Sequence, residues 1–283
     1  MIDDPVVVLL PHNLGADINL HGGPWVVQSC LDLAQSFGFD IVASDECAVD
    51  GATQLEREML ASLPLATTDL ALRALLVQPD AWRDVSTNQI PTILNDRALW
   101  WLLHPPRVAI VGAPNVGKST LANQLFARER SITADLPGTT RDWVGELANL
   151  DGLVIMLVDT PGVRETDDVI ERVAIDRAGE QVRSAALVLV VLDPTQAPDA
   201  QRGFIDAHPG ALIVANKVDR PAAWSARDDT HVATVATTGA GVEELRGAIR
   251  AQFGCDAIEL SKPRWWTTRQ REALERGKLP FTA

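Results

Sequence analysis

The feature that most constrains the fold of this chain is a loop with two glycines that lies between an apolar run and a segment with helical spacing. The loop reads Gly112-Ala-Pro-Asn-Val-Gly117-Lys118-Ser119, follows the apolar residues 108–111 and precedes an amphipathic stretch that ends at Phe126. Glycine lets the backbone turn tightly enough for successive N–H groups to point at one phosphate, and a helix N-terminus adds its positive end. The pattern therefore predicts a strand, a phosphate-binding turn and a helix.

The candidate phosphate contacts are consecutive residues of this loop and of the helix that follows: Asn115, Val116, Gly117, Lys118, Ser119 and Thr120. Lys118 would reach the β and γ oxygens of a nucleotide, and Ser119 would offer its hydroxyl to Mg²⁺. Because phosphoryl transfer depends mostly on positioning and charge neutralisation, Lys118 is also a catalytic candidate. The alternative is a glycine turn that occurs by chance.

Residues 107–254 alternate short apolar runs with amphipathic stretches. The runs are rich in β-branched residues and apolar on both faces: 108–111, 153–158, 186–192, 211–215 and 232–236. Strands of this kind are typical of a mostly parallel sheet between layers of helices. Residues 141–149 and the turn at Asp151-Gly152 predict one antiparallel partner for 153–158. The fold class is therefore α/β.

Two further motifs follow predicted strands. The first, Asp159-Thr160-Pro161-Gly162, places a carboxylate where it can hold a magnesium-bound water, and Gly162 is a further candidate for nucleotide binding. Its alternative is a capping aspartate before a Pro-Gly turn. The second motif starts at Asn216.

Asn216, Lys217 and Asp219 follow the run 211–215 and predict a base-binding loop. The Asp219 carboxylate can accept both the ring N–H and the exocyclic amine of guanine, whereas adenine would leave it unpaired. This favours GTP and GDP over adenine nucleotides. A weaker motif at Val235-Ala236, just before Thr237-Thr-Gly-Ala-Gly241, would let the Ala236 N–H donate to the guanine carbonyl.

The remaining segments flank this domain. Residues 1–50 predict a small α+β segment, residues 51–106 a helical connector, and residues 255–283 a short helical tail. Strands are expected at 6–10 and 16–20, and helices at 26–37, 54–63, 68–77, 95–103 and 268–276. Pro105 and Pro106 cannot continue a helix, so the domain spanning 107–254 begins after them.

Composition excludes several classes of protein. Lysine and arginine number 25 against 38 acidic residues, a net charge of −13 that argues against a generic cationic binder of nucleic acids. The apolar runs are far shorter than the roughly 20 residues that a bilayer requires, so no membrane association is expected. Three widely separated cysteines, Cys30, Cys47 and Cys255, fit a reducing cytoplasm.

Two tryptophan pairs, Trp100-Trp101 and Trp265-Trp266, allow two interpretations. They could be stacking platforms for nucleic acid, or packing anchors between segments. The negative charge of the chain favours packing. We therefore expect the two pairs to lie near each other.

Together the motifs resemble those of the tRNA-modification GTPases of the MnmE (TrmE) family, which are P-loop GTPases of the translation-factor class. Residues 135–142 are similar to the family's switch I signature, residues 159–178 to its switch II and the next helix, and Asn115 to its loop asparagine. The resemblance implies Mg²⁺-dependent hydrolysis of GTP to GDP and phosphate. It also implies a homodimer through the switch regions and a partner protein for tRNA modification.

The resemblance implies metal ligands for two ions. Thr140 would give Mg²⁺ a second hydroxyl beside Ser119, with Asp159 acting through water, and Thr140 is thereby a catalytic candidate. Potassium would be held by Asn115 together with the loop carbonyls of Ala134 and Leu136. A bound K⁺ would supply the charge that an arginine supplies in other GTPases.

The catalytic carboxylate is implied in the same way. Val163 stands where Ras-like enzymes have a glutamine, and an aliphatic side chain cannot orient water. The resemblance points instead to Glu171, acting through a bridging water. A solvated carboxylate on an amphipathic helix would explain Glu171 equally well.

Other parts of the family are matched only in part. Residues 18–37 resemble the second half of its folate-binding domain, and 267–276 one helix of its helical domain. We expect a shortened form that lacks the first half of the folate domain and the C-terminal Cys-Ile-Gly-Lys motif, for which Cys255 is not a substitute. The alternative function is a GTP-controlled interaction switch, for example in ribosome assembly, without modification chemistry.

Overall fold

The computed structural model describes residues 6–9, 16–19, 23–40, 53–126, 146–159, 182–224 and 231–281. The chain divides into two compact units, Met1–Ala52 and Thr53–Ala283. In the first unit, β1 (Val6–Leu9) pairs antiparallel with β2 (Ala16–Asn19). Helix α1 (Pro24–Ser36) follows, with a proline in its first turn. The two strands and the helix predicted here are confirmed.

The second unit opens with five short helices: α2 (Gln54–Ser62), α3 (Asp69–Leu76), α4 (Gln78–Ala81), α5 (Ile90–Asn95) and α6 (Ala98–Leu103). The threonines before α2 and α3 cap them through their side chains. The predicted helix 95–103 was wrong at its start. Asp96 has extended backbone and its carboxylate accepts from the Ala98 N–H at 3.0 Å, so one helix ends before Asp96 and the next begins after it.

The central sheet has six strands in the order β4-β5-β3-β6-β7-β8, with every pair parallel except β4 and β5. The strands are β3 (Arg107–Val111), β4 (Glu146–Leu150), β5 (Leu153–Asp159), β6 (Leu187–Leu192), β7 (Leu212–Asn216) and β8 (Val232–Thr234). Among the described residues, three helices follow strands of this sheet: α7 (Lys118–Phe126), α8 (Asp199–Ala207) and α9 (Val242–Gln252). The predicted α/β class and the antiparallel edge strand are confirmed. The β8 strand is shorter than the predicted run 232–236.

The C-terminal segment packs on the helices that precede the sheet. After α9 the chain continues to α10 (Thr268–Glu275). The rings of Trp100 and Trp265 lie 5.5 Å apart, and the Trp265 indole donates to the Leu94 carbonyl at 3.2 Å. Trp82, which is fully buried, donates to the Arg264 carbonyl at 3.0 Å. The expected proximity of the two tryptophan pairs is confirmed, and their contacts are those of packing anchors.

The turn between β4 and β5 is held from two sides. On one side, the Thr68 hydroxyl at the start of α3 donates to the Gly152 carbonyl at 2.8 Å. On the other, Arg246 of α9, which is buried, donates to the Asn149 carbonyl at 3.0 Å and to Asp151 at 3.2 Å. The hairpin that leads into β5 therefore connects the helices before the sheet with the last helix of the sheet domain.

Substituting Gly152 tests this connection. Gly152 has φ +103°, and a Cβ there would lie 2.7 Å from Leu70 Cβ, whereas Gly210 has φ +86° and nothing within 4 Å. Left-handed backbone costs a residue with a side chain about 1–2 kcal/mol, and overpacking adds about 1–3 kcal/mol. We expect Gly152→Ala to lower the urea midpoint of the full chain well beyond its control, Gly210→Ala. Equal shifts would show that α3 does not press on this turn.

Candidate functional site

The loop after β3 takes a shape that only glycine permits at its two ends. Gly112 has φ +151°, and a Cβ on it would lie 2.4 Å from the carbonyl oxygen of Val191 in β6. Gly117 has φ +100°, and a Cβ would lie 2.3 Å from Nδ2 of Asn216. The backbone of the loop thus passes directly against two neighbouring strands, which explains the glycines in the motif.

Lys118 is the first residue of α7, and its side chain folds back along the loop. Its Nζ donates to the carbonyls of Gly112 and Ala113, both at 3.0 Å, and the residue is only 9% exposed. Ser119 and Thr120 follow at the N-terminus of the helix and are exposed. A buried ammonium beside the first turn of a helix is the charge distribution that a polyphosphate requires.

Asn216 joins three segments of the site. Its Nδ2 donates to the Val116 carbonyl at 2.8 Å, and its Oδ1 accepts from the Ala236 N–H at 2.9 Å and from the Thr234 hydroxyl at 3.2 Å. Asn216 is buried, so each of these bonds replaces one to water. The Ala236 N–H is thereby directed at Asn216, and its contact with a guanine carbonyl stays a prediction.

Lys217 extends from the end of β7 across the loop. Its Nζ lies 2.5 Å from the Asn115 carbonyl oxygen and 2.6 Å from Oδ2 of Asp193, which follows β6. Lys217 and Asn115 both have left-handed backbone, with φ of 61° and 62°. The base-binding loop and the phosphate loop are therefore connected by one side chain.

Sequence reasoning missed Asp193 and its partner Gln201. Burial on its own would raise the pKa of Asp193, but hydrogen bonds from Lys217 and Thr195 outweigh it and hold that pKa below its ordinary value. Gln201 in α8 is fully buried and bonds both backbone groups of Asp193. The sequence did contain an indication of this role, because Asp193 directly follows an apolar run, as Asp159 does.

The structure brings part of the predicted site together. The phosphate-loop residues converge with Asn216 and Lys217, while Asp219 is exposed in the turn after β7. Asp159 ends β5 opposite Ile110 of β3, which places its backbone at the same edge of the sheet. The predicted residues Ala134, Leu136, Thr140, Gly162 and Glu171 lie outside the described residues.

Two of the residues predicted to bind Mg²⁺ have their backbone at this edge of the sheet: Ser119, which is exposed at the start of α7, and Asp159, which ends β5. Their role as metal ligands stays a prediction. Among the described residues no three His, Cys, Asp or Glu side chains cluster as metal ligands would.

Cys255 has the properties of a packing residue. It is buried directly after α9, with its Sγ 3.8 Å from the Ala98 carbonyl oxygen. Burial raises the pKa of this thiol to about 12. Because the thiolate is the reactive form, Cys255 is not a nucleophile at neutral pH.

Comparison with a family model indicates the class of protein to which this chain belongs. Residues 107–217 match the family model described as 50S ribosome-binding GTPase. The fold and the loop geometry together with this match make the chain a P-loop GTPase, an enzyme that hydrolyses GTP. Within the described ranges, every helix falls short of the length and apolarity needed to cross a membrane.

Individual proteins that are similar in sequence to this chain are tRNA modification GTPases. The chain is 29% identical over 315 residues to the tRNA modification GTPase MnmE of Aquifex aeolicus, which covers 93% of this chain and 70% of that protein. It is 40% identical over 173 residues to MnmE of Xanthomonas campestris pv. campestris, covering 60% of this chain and 39% of that protein. These matches confirm the resemblance to the MnmE family of tRNA modification GTPases that the motifs indicate.

Some of these relatives are much longer than the part that matches this chain. The chain spans 38% of the length of MnmE of Thermus thermophilus, to which it is 40% identical over 173 residues. Among solved structures, Era of Aquifex aeolicus bound to GDP.AlF4- matches with 25% identity and a TM-score of 0.39, over 60% of this chain and 64% of that one.

Proposed function

We propose that this GTPase works with Mg²⁺ and K⁺ in the cytoplasm and serves the modification of tRNA. The observation that carries the proposal is the phosphate loop, in which the Lys118 ammonium is held by two carbonyls beside the N-terminus of α7. The match to a tRNA modification GTPase over 93% of this chain supports the cellular role.

The chemistry follows from the positions of the chain's own groups. Lys118 and the first N–H groups of α7 would bind the β and γ oxygens and neutralise charge as water attacks in line. Mg²⁺, when bound, neutralises phosphate charge, and Ser119, Thr140 and Asp159 would hold it. Glu171 would position the attacking water through a second water.

Potassium dependence rests on Asn115. Its backbone has φ 62° and its carbonyl accepts from Lys217, so the residue is fixed at the rim of the loop. Asn115 is exposed there. Its side chain could then coordinate K⁺ with the carbonyls of Ala134 and Leu136, next to the phosphates.

We expect GTP turnover to be faster in KCl than in NaCl at equal ionic strength, by about tenfold if K⁺ removes roughly 1.4 kcal/mol from the barrier. Asn115→Ala should abolish the difference between the two salts. Asn88→Ala, at an exposed position outside the phosphate loop, should keep it. Equal turnover of the wild type in both salts would contradict potassium activation and leave GTP hydrolysis intact.

The tRNA role is tested in the cell that carries this gene. Deletion should lower the content of modified wobble uridine in total tRNA, as measured by mass spectrometry of nucleosides. Complementation with the wild type should restore it, whereas Lys118→Ala should not. Unchanged nucleosides after deletion would contradict this role.

A second candidate is a GTP-controlled interaction switch on the ribosome. The observation in its favour is the matching family model, whose description names 50S ribosome binding. Cosedimentation with ribosomal subunits should then depend on GTP and fail with GDP. Sedimentation that is absent with both nucleotides would exclude this candidate, and homodimer formation through the switches would be checked in the same samples by light scattering.

A further inference from the structure

We infer that Asp193 is a positioning residue of the nucleotide site and that it acts through Lys217. Asp193 follows β6 and has no predicted contact with the nucleotide. Its carboxylate instead fixes the lysine that connects the base-binding loop to the phosphate loop. The inference extends the GTPase activity, and it does not depend on potassium or on tRNA.

The first step is the placement of the Lys217 ammonium. Nζ lies between two acceptors from two different loops, the Asn115 carbonyl oxygen at 2.5 Å and Asp193 Oδ2 at 2.6 Å. The Lys217 side chain is 22% exposed and that of Asp193 is 1% exposed. Because a charge-assisted bond gains strength where water is excluded, this pair is a strong constraint on the lysine.

Hydrogen bonds from neighbouring residues also fix the orientation of the Asp193 carboxylate. Oδ1 of Asp193 accepts from the Thr195 N–H at 2.9 Å and from the Thr195 hydroxyl at 2.7 Å. Oδ2 accepts from the Gln196 amide at 3.3 Å in addition to Lys217. The carboxylate is thus held on both oxygens before the lysine is considered.

The third step is that the backbone carrying Asp193 is fixed as well. Gln201 of α8 accepts from the Asp193 N–H at 2.7 Å and donates to the Asp193 carbonyl at 3.0 Å. Gln201 is fully buried, so it has no water to replace these bonds. Helix α8 therefore determines where the Asp193 carboxylate lies.

The fourth step concerns what Lys217 holds in place. Lys217 and Asn115 both have left-handed backbone, which asparagine adopts readily but which costs a lysine about 1–2 kcal/mol that the surrounding contacts must offset. Asp219 lies two residues beyond Lys217 and Gly117 two residues beyond Asn115. The ion pair thus fixes the spacing between the groups that bind the base and those that bind the phosphates.

An ion pair that holds the two loops around a bound nucleotide opposes their separation, so its loss should speed the release of GDP. We therefore expect Asp193→Asn to raise the GDP dissociation rate by about tenfold, which corresponds to a weakened charge-assisted bond. Asparagine keeps the shape and can still accept from Thr195. Asp206→Asn, an exposed substitution on α8, is the matched control and should leave the rate unchanged.

A double-mutant cycle separates positioning from a general structural role. Lys217→Met should raise the GDP dissociation rate by itself, and adding Asp193→Asn should change it no further, because both remove the same interaction. Rates are measured with fluorescent GDP by stopped flow on the full chain. Effects that multiply in the double variant, or a rate unchanged in folded Asp193→Asn, would overturn the inference.

A milder variant keeps the test decisive if Asp193→Asn does not fold. Thr195→Val removes the hydroxyl bond to Oδ1 and retains the backbone one, so the carboxylate gains some freedom. We expect GDP to dissociate about two- to threefold faster, as for the loss of one weakly stabilising hydrogen bond. A rate equal to the wild type in this folded variant would also count against the role of Asp193.

Discussion

Asp219→Asn is expected to weaken GDP binding by more than about a hundredfold and to favour xanthine nucleotides instead. The carboxylate would offer two acceptors to the two N–H groups of guanine, and each bond to a charged group is worth about 1.5–3 kcal/mol. Asparagine offers one acceptor and one donor. Xanthine, which has a carbonyl in place of the exocyclic amine, accepts from that donor.

The experiment is a set of titrations with GDP, XDP and ADP on the wild type and the variant. Asp219 is exposed in the turn after β7, so its substitution leaves the core intact. Asp199→Asn, also exposed, is the control for the change in net charge. GDP binding that survives Asp219→Asn undiminished would show that another group selects the base.

The sequence predicts the sheet well because each core strand is short, β-branched and apolar on both faces. Strands at 108–111, 153–158, 186–192 and 211–215 are found within a residue of the predicted limits. Short runs that are apolar on both faces are typical of parallel strands that helices cover on both sides of the sheet. The phosphate loop is predictable for a related reason, since few other structures require its glycines.

The contacts between loops are not predictable in the same way. Asn216 follows β7 in the sequence, yet its amide reaches the Val116 carbonyl, 100 residues earlier. That contact depends on the register of β3, β6 and β7 and on the left-handed backbone of Lys217. A motif indicates which residues bind, whereas the sheet determines which of them contact each other.

The start of helix α6 was predicted incorrectly for a similar reason, because it depends on side-chain contacts. Residues 95–103 were predicted as one helix, but the helix begins only at Ala98 because the Asp96 carboxylate accepts from the Ala98 N–H. Asp96 also accepts from Arg264 at 2.8 Å. The break is therefore stabilised both by a cap two residues away and by a residue 168 positions later, and the second contact depends on the tertiary fold.

Gly117→Ala should abolish nucleotide binding while most of the protein stays folded. The added Cβ would lie 2.3 Å from Asn216 Nδ2, closer than any normal contact, and the residue would keep φ +100°. Either the loop moves or Asn216 gives up its bond to Val116. In both cases the N–H groups that bind phosphate lose their alignment, and we expect GDP affinity to fall by at least about a hundredfold, or 2.7 kcal/mol.

Gly203→Ala is the matched control, because it adds the same methyl group inside α8 with nothing within 4 Å. Alanine is the better helix former there and should stabilise α8 by up to about 1 kcal/mol, with GDP affinity unchanged. Calorimetric titration gives the affinities and thermal unfolding without nucleotide gives the stabilities. If Gly117→Ala binds GDP as the wild type does, the close passage of the loop against Asn216 is not what aligns the phosphate-binding N–H groups, because a methyl group at that point cannot be accommodated without moving one of them.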